Sequence, residues 1–388
     1  MEKDMPDKSE KRKYSLNQIY FYLTEGCNLR CCHCWIVPKY QTEGRSYPSL
    51  ALDLFRSIVQ QAKPLGLKGV KLTGGEPLLH PQIHEILQLT RMEDLSLALE
   101  TNGVLCTPEL AREIAACKNA FTSVSLDGAD AETHEGVRGV AGCFEAALEG
   151  IRNLVKAGLR PQVIMAMMRH NQDQMEAVVR LAESLGAGSV KFSIVMPAGR
   201  GEKIYEAGQA LTIEELVGLG RWVENTLSAS TSLTLLYSHP MAFRSLGKMF
   251  GDNGDGCHVC GILGILGVLA NGSYALCGIG QTVPDLVFGH AATDHLEDVW
   301  NNTPVLVELR EGIPHRFEGI CDECLMKDLC LGCCVALNYF RSKNVWAPFW
   351  YCEEAQKRGL FPESRIHPRP IQGEKCMPAL GLRNGRGT

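Results

Sequence analysis

The 388-residue chain is 45% hydrophobic and 21% charged, with 39 Lys and Arg against 44 Asp and Glu for a net charge of −5. That composition excludes disordered and fibrous classes, the acidic balance disfavours a nucleic-acid substrate, and no run of about 18 apolar residues is present to span a membrane. The polar N-terminus lacks the apolar core of a secretory signal, so a cytoplasmic address is expected, where seventeen cysteines, an odd count, imply metal or catalytic use rather than disulfides.

Residues 1–15 read as a polar extension, carrying the one short basic run, Lys11, Arg12 and Lys13. Strands are predicted at 18–24, 69–73, 95–100, 121–126, 161–167 and 189–195, where β-branched and aromatic residues cluster. Helical spacing of apolar residues marks 50–63, 82–91, 108–116, 143–157 and 172–185 between them. Strands alternating with helices indicate βαβ units on a parallel sheet. Six such units suggest a partial (β/α)6 TIM-like barrel over residues 16–236, with a bridging helix at 212–229. In such folds chemistry sits at the C-terminal strand ends. Here those ends read CNLR, GGEP, TNG and DG.

After Tyr237 the periodicity fades, glycine becomes frequent, and nine of the seventeen cysteines fall between Cys257 and Cys352. Residues 237–355 are therefore expected to form a small, loop-rich, cysteine-rich domain held by metal. Residues 356–388 read as an exposed tail.

Cys27, Cys31 and Cys34 stand in C-x3-C-x2-C spacing on the loop after the first strand. Three thiolates from one loop hold three corners of a [4Fe–4S] cube and leave the fourth iron open. Structural zinc is the alternative, with Cys32 and His33 as extra ligands, but it ordinarily takes four paired protein ligands. Gly74 and Gly75 allow the backbone to approach a ligand closely, and Glu76 supplies an acceptor for a cationic amine. A tight turn with Pro77 opening the next helix would explain the glycines and the proline but not the glutamate.

The CNLRCCHC loop, the GGEP turn and the ETNG and SLDG strand ends resemble the radical S-adenosylmethionine (SAM) superfamily over about residues 16–199. The resemblance implies that the open iron chelates SAM, whose reductive cleavage yields a 5′-deoxyadenosyl radical. It also implies that GGEP, residues 74–77, meets the methionyl ammonium. Ser125 and Asp127 would contact SAM's ribose or carboxylate, and Asn102 would line the same pocket. Arg138 is either a planar fork for the carboxylate or a surface arginine. Met196 and Val195 either pack on adenine or belong to the core.

Cys321, Cys324, Cys330 and Cys334 have C-x2-C-x5-C-x3-C spacing, preceded by Cys257, Cys260 and Cys277 and followed by Cys352. A zinc ribbon on Cys321, Cys324, Cys330 and Cys333 would leave five of these cysteines unexplained. The set resembles the SPASM domain, which implies two auxiliary [4Fe–4S] clusters. One would use Cys257, Cys260, Cys277 and Cys334; the other would use Cys321, Cys324, Cys330 and Cys352. Cys257 and Cys260 are unusually close, which leaves open a free iron, and Cys333 competes with Cys334.

With three [4Fe–4S] clusters and SAM as cofactors, the resemblance implies modification of a ribosomal precursor peptide. Thioether or carbon–carbon crosslinking is the most economical reaction. Gly278 after Cys277 counts against sulfatase maturation. Peptide epimerisation would need a thiol such as Cys106, Cys117 or Cys143, and a small-molecule dehydrogenase or a non-enzymatic metal scaffold are further alternatives. IYFYLTEGCNLRC and VSLDGADAETHE also look like SPASM proteins of SynChlorMet-type cassettes. The expected partners are the peptide, a separate leader-binding protein and a flavodoxin- or ferredoxin-type reductant, with no nucleic acid and no membrane.

Overall fold

The computed structural model describes residues 14–42, 44–251 and 260–368. Six strands run in the expected places: β1 Gln18–Tyr22, β2 Gly69–Thr73, β3 Ser96–Thr101, β4 Lys118–Ser125, β5 Gln162–Met167 and β6 Ser189–Ile194. Between them lie α1 Leu52–Ala62, α2 Ile83–Met92, α3 Pro108–Ala115, α4 Ala131–Arg138, α5 Cys143–Lys156 and α6 Met175–Ser184. Helix α4 was not expected, because AETHEGVR is mostly polar. Its ends form it: the Asp130 carboxylate accepts the Thr133 N–H at 2.8 Å, and Gly139 closes it at φ 74°.

The sheet extends beyond six strands on both sides. After α7 Gly201–Glu206 and α8 Ile213–Asn225, β7 Thr234–Tyr237 pairs in parallel with β6. On the other edge, β8 Ile265–Val268 pairs in parallel with β1. Strands β9 Ser273–Ala275 and β10 Val287–His290 continue antiparallel. The order is β10-β9-β8-β1-β2-β3-β4-β5-β6-β7. Thus part of the cysteine-rich region completes the barrel sheet. TLLY and ILGV are too short to show alternation in sequence, which is why both edges escaped notice.

The cysteine-rich region is also more helical than expected. It contains α9 Leu246–Phe250, α10 Leu296–Asn302, α11 Pro304–Gly312, α12 Gly319–Glu323, α13 Lys327–Cys330, α14 Val335–Ser342 and α15 Trp350–Lys357. None exceeds nine residues, so each offers at most two or three turns of periodicity to read.

Alternation along the strands decides where the site lies. Ile19, Phe21, Val70, Leu72, Leu97, Leu99, Val190 and Phe192 are buried against the helices. Phe21 meets Phe55 of α1 with ring centroids 4.4 Å apart. Each such side chain contributes roughly 1.5–3 kcal/mol on burial. The opposite face carries Tyr20, Lys71, Glu100, Ser123, Ser125, Lys191 and Ser193. A closed TIM barrel fills that space with branched apolar residues. Here it is polar, so the barrel interior is a chamber rather than a core.

Candidate active site

The loop after β1 is tied down at both ends. Gly26–Cys27 pairs in parallel with Lys39–Tyr40, while Arg30 and Cys32 donate their N–H groups to the carbonyls of Arg138 and Val137, each at 3.0 Å. The loop is thereby pinned to the end of α4. Cys27, Cys31 and Cys34 line one cavity together with Gly74, Gly75, Glu76, Asn102, Ser125, Arg138 and Arg200. Cys32 does not line it; its side chain packs against a cluster of Val137, Ala166, Met168 and Val195.

Three thiols bordering one side of a space, with polar groups on the other, fit a [4Fe–4S] cube with one exposed iron. Among the described residues no three Cys, His, Asp or Glu side chains converge on a single-ion site. Burial pushes the Cys27 thiol up to about 12, so deprotonation there has to be driven by iron binding.

The GGEP turn is pressed against the cysteine loop. A Cβ on Gly75 would lie 1.9 Å from the Gly26 carbonyl oxygen, and Gly74 has φ +129° with its Cβ position 2.9 Å from the Leu23 nitrogen. Glycine is required at both. Gly75 and Glu76 donate their N–H groups to the carbonyls of Thr24 and Gly26, each at 3.0 Å. The buried Glu76 carboxylate accepts three hydrogen bonds: from Leu78 N–H at 3.1 Å, Thr101 Oγ1 at 2.6 Å and Asn102 N–H at 2.8 Å. A carboxylate has about four acceptor positions, so one is left for a cation. Burial raises its pKa to about 7 despite these donors. Pro77 is buried in the following turn, Pro77–Leu79, and does not line the cavity.

Asn102 braces the site: its Nδ2 donates to Asn28 Oδ1 at 2.7 Å and its Oδ1 accepts Val104 N–H at 3.0 Å. Ser125 lines the cavity. Asp127, expected to contact SAM, does not line it. It is fully buried, with Oδ1 accepting Ala166 N–H at 2.7 Å and Oδ2 2.7 Å from Arg138 Nη2. Arg138 is buried rather than a surface residue, and its Nη1 donates to Cys31 Sγ at 3.4 Å. Met196, half-buried beyond β6, and Val195, in the core, do not line the cavity.

Two features were missed in the sequence. Arg200, in the PAGRG turn after β6, lines the cavity, and its backbone N–H donates to the Cys34 carbonyl at 3.1 Å. Its Nε and Nη2 are buried without a hydrogen-bond partner. The signal was a polar Gly-Arg-Gly at a further strand end. The second feature is the interior ion pair of Lys71 Nζ and Glu100 Oε1 at 2.5 Å, with Thr73 Oγ1 donating to Glu100 at 3.3 Å. Burial would raise the Glu100 pKa, but Lys71 more than offsets this and holds it low.

In the cysteine-rich region, Cys321, Cys324, Cys330 and Cys352 line one enclosed cavity with Phe317, Ile320 and Phe361. Phe349 N–H donates to Cys321 Sγ at 3.4 Å and Met326 N–H to Cys324 Sγ at 3.3 Å. Four thiols around an apolar space are the donor set of a fully ligated cube. Cys260, Cys277 and Cys334 form a second neighbourhood: burial raises the pKa of the Cys277 thiol, and charge on Cys334 and on Cys260 raises it further. Cys257 lies outside the described residues. Cys333 has φ 58° and hydrogen-bonds with Cys330; it does not line the four-cysteine cavity.

The radical SAM superfamily profile matches residues 21–182, and that of the SPASM iron–sulfur cluster-binding domain matches residues 257–325. The chain is 29% identical over 325 residues to the AdoMet-dependent heme synthase of Methanosarcina barkeri, covering 81% of this chain and 90% of that protein. It is also 29% identical over 372 residues to the mycofactocin maturase MftC of Mycobacterium ulcerans, covering 90% of each. Among solved structures, Streptococcus suis SuiB bound to precursor peptide SuiA superposes with a TM-score of 0.68 at 17% identity, over 88% of this chain and 76% of SuiB. The anSMEcpe structure with bound AdoMet gives 0.65 at 16% identity, over 88% and 95%. At these identities the structures speak for the fold alone.

Proposed function

Because the chain belongs to the radical SAM superfamily and carries a SPASM domain, we propose that it cleaves SAM reductively and modifies a ribosomally made peptide, by thioether or carbon–carbon crosslinking. Cys27, Cys31 and Cys34 would hold the SAM-binding cube. Cys321, Cys324, Cys330 and Cys352 would hold one auxiliary cube, and Cys260, Cys277 and Cys334, with Cys257, the other. When bound, cluster and SAM supply a 5′-deoxyadenosyl radical that takes a hydrogen atom from the substrate. The single observation that carries this reading is the convergence of three loop thiols and the one vacant acceptor position of Glu76 on one cavity.

The chain's own residues then have defined tasks. Gly74 and Gly75 bring backbone close to the ligand, and Glu76 accepts its ammonium. Asn102 and Arg138 hold the cysteine loop in place. The polar barrel interior receives the substrate. The cysteine-rich region lies along the sheet extension through β8, as an exit path for the electron that crosslinking releases. A flavodoxin- or ferredoxin-type protein would deliver the reducing electron.

A peptide substrate is supported by the similarity to MftC across 90% of both chains. A second reading, a carboxylate-bearing tetrapyrrole, is supported by the heme synthase relative and by interior charge. Lys71 already neutralises Glu100, and Lys191 makes no ion pair among the described residues. The test is to incubate the reconstituted enzyme, SAM and reductant with the precursor peptide encoded beside its gene, and separately with iron coproporphyrin III. Loss of a hydrogen pair from the peptide mass supports crosslinking. Decarboxylation of the porphyrin, with the peptide unchanged, supports the second reading.

A further inference from the structure

We propose that the barrel interior carries a second binding site, for a carboxylate of the substrate, with Lys191 as the residue that takes it. The proposal rests on the reading of the polar interior as the substrate chamber and names the chemical group that the chamber selects.

The strand register places Lys191. Ser125, on the wall of the cysteine-lined cavity, is level with Ile164 of β5, and Ile164 is level with Lys191 of β6. Two strand spacings separate them, about 10 Å. Lys191 itself lines a different cavity, with Gln162, Ser189 and Thr234, which are the first residues of β5, β6 and β7. That cavity therefore opens at the barrel end opposite the cysteine loop, an end that in a closed TIM barrel serves stability rather than chemistry. Phe121, 49% exposed, and the exposed Arg160 stand at its mouth, and Cys333 of the cysteine-rich region lines it too.

The lining has one sign of charge. Among the described residues it includes Arg160, Lys191 and Arg244 and no Asp or Glu. Arg244 is directed at Glu224, 3.7 Å away, and His239 at the same carboxylate, 2.9 Å away. Lys191 makes no ion pair among the described residues. Glu100 favours its charge from a distance, but that carboxylate is held by Lys71 at 2.5 Å. Two cations and one anion inside the barrel leave one positive charge uncompensated. Burial pulls the Lys191 ammonium below its ordinary pKa, with Glu100 only partly opposing, and an anion on the substrate would supply the missing partner. An exposed aromatic ring beside a few convergent polar groups is the usual make-up of a ligand pocket. A carboxylate held at Lys191 brings the rest of the substrate within reach of Glu100 and Ser125, which border the cysteine-lined cavity.

The competing role for Lys191 is as a second counter-ion to Glu100, without contact to substrate. A carboxylate can come from an acidic peptide or from the propionates of a tetrapyrrole. Paired probes separate both the roles and the sources: iron coproporphyrin III and its tetramethyl ester, and the precursor peptide encoded beside the gene with its carboxyl groups free or methylated. Each is titrated anaerobically into the cluster-loaded wild type and the variants Lys191→Met, Lys191→Arg and Arg160→Met. The wild type is expected to bind the free acid of one source more tightly than its ester. Lys191→Met should weaken that acid by about ten- to a hundredfold and leave the ester unchanged, with iron content reporting correct folding; if this variant loses its iron, the same comparison is read from Lys191→Gln. Lys191→Arg should recover part of the loss, and Arg160→Met, at the exposed mouth, should cost less than about fivefold. The source whose free acid depends on Lys191 supplies the carboxylate. A wild type that prefers the esters or binds neither free acid, or a Lys191→Met that weakens acid and ester equally or not at all, would overturn the proposal. The titrations need no SAM cleavage, so a wild type that forms no 5′-deoxyadenosine fails the radical SAM reading separately and leaves the binding comparison intact.

Discussion

Arg138 Nη1 donates a hydrogen bond to Cys31 Sγ at 3.4 Å, and it is aimed there by Asp127, whose Oδ2 lies 2.7 Å from Nη2. A residue at the end of α4 thereby reaches a predicted cluster ligand 107 positions earlier in the chain. Donors to cluster sulfurs, and positive charge beside them, raise the reduction potential. Arg138→Met should therefore lower the potential of the first cluster, read by an EPR-monitored redox titration; an unchanged potential would remove Arg138 from this role. Both partners are buried, so Asp127→Ala leaves an unpaired guanidinium and should cost about 3–5 kcal/mol in urea denaturation.

The two adjacent cysteines of the loop should behave oppositely. Cys31 lines the cavity, whereas the Cys32 side chain packs with Val137, Ala166, Met168 and Val195 and its N–H is used on the Val137 carbonyl. Cys32→Ala should keep the iron of the first cluster and SAM cleavage, and Cys31→Ala should lose both. Equal losses of iron from the two variants would mean that the ligand register is wrong.

Adjacent cysteines recur in the auxiliary region, with the order of importance reversed. Cys334 neighbours Cys277, while Cys333 turns toward Cys330 at a left-handed backbone position. Three cubes correspond to about twelve irons per chain. Cys334→Ala is expected to lose about four of them and Cys333→Ala none, by iron and sulfide analysis. The converse pattern would assign the ligand to Cys333.

Glu76 links SAM binding to pH. Burial raises its folded-state pKa to about 7 from an ordinary 4.5. Between these values the folded, ligand-free protein binds the proton that the unfolded chain has released, so its stability falls as pH rises through that window. A bound ammonium favours the carboxylate. S-adenosylhomocysteine affinity should accordingly climb as pH rises toward 7 and level off above it, with Glu76→Gln weaker and flat over the same range. A wild-type profile as flat as that of Glu76→Gln would contradict the assignment.

The legible parts of the site were those written in consecutive residues. C-x3-C-x2-C and GGEP each form a single loop, so their chemistry and spacing show in one dimension, and clusters of β-branched and aromatic residues marked the strands. What escaped reading depends on tertiary placement. Asp127 looked like a ligand contact because it ends a strand, yet its partners Arg138 and Ala166 come from α4 and β5. Arg200 sits in a Gly-Arg-Gly at a strand end, but it is the approach of its turn to Cys34 that makes it part of the cavity. Strand β8 was hidden because its four residues sit in a glycine-rich stretch and pair with β1, more than two hundred positions away.

The central claim is that this cavity cleaves SAM. The most direct measurement is a single-turnover reaction: anaerobically reconstituted protein is mixed with SAM and dithionite, and 5′-deoxyadenosine is quantified by chromatography. The account predicts 5′-deoxyadenosine and methionine in equal amounts from the wild type and neither from Cys31→Ala. No 5′-deoxyadenosine from a wild type shown to contain iron and sulfide would contradict it.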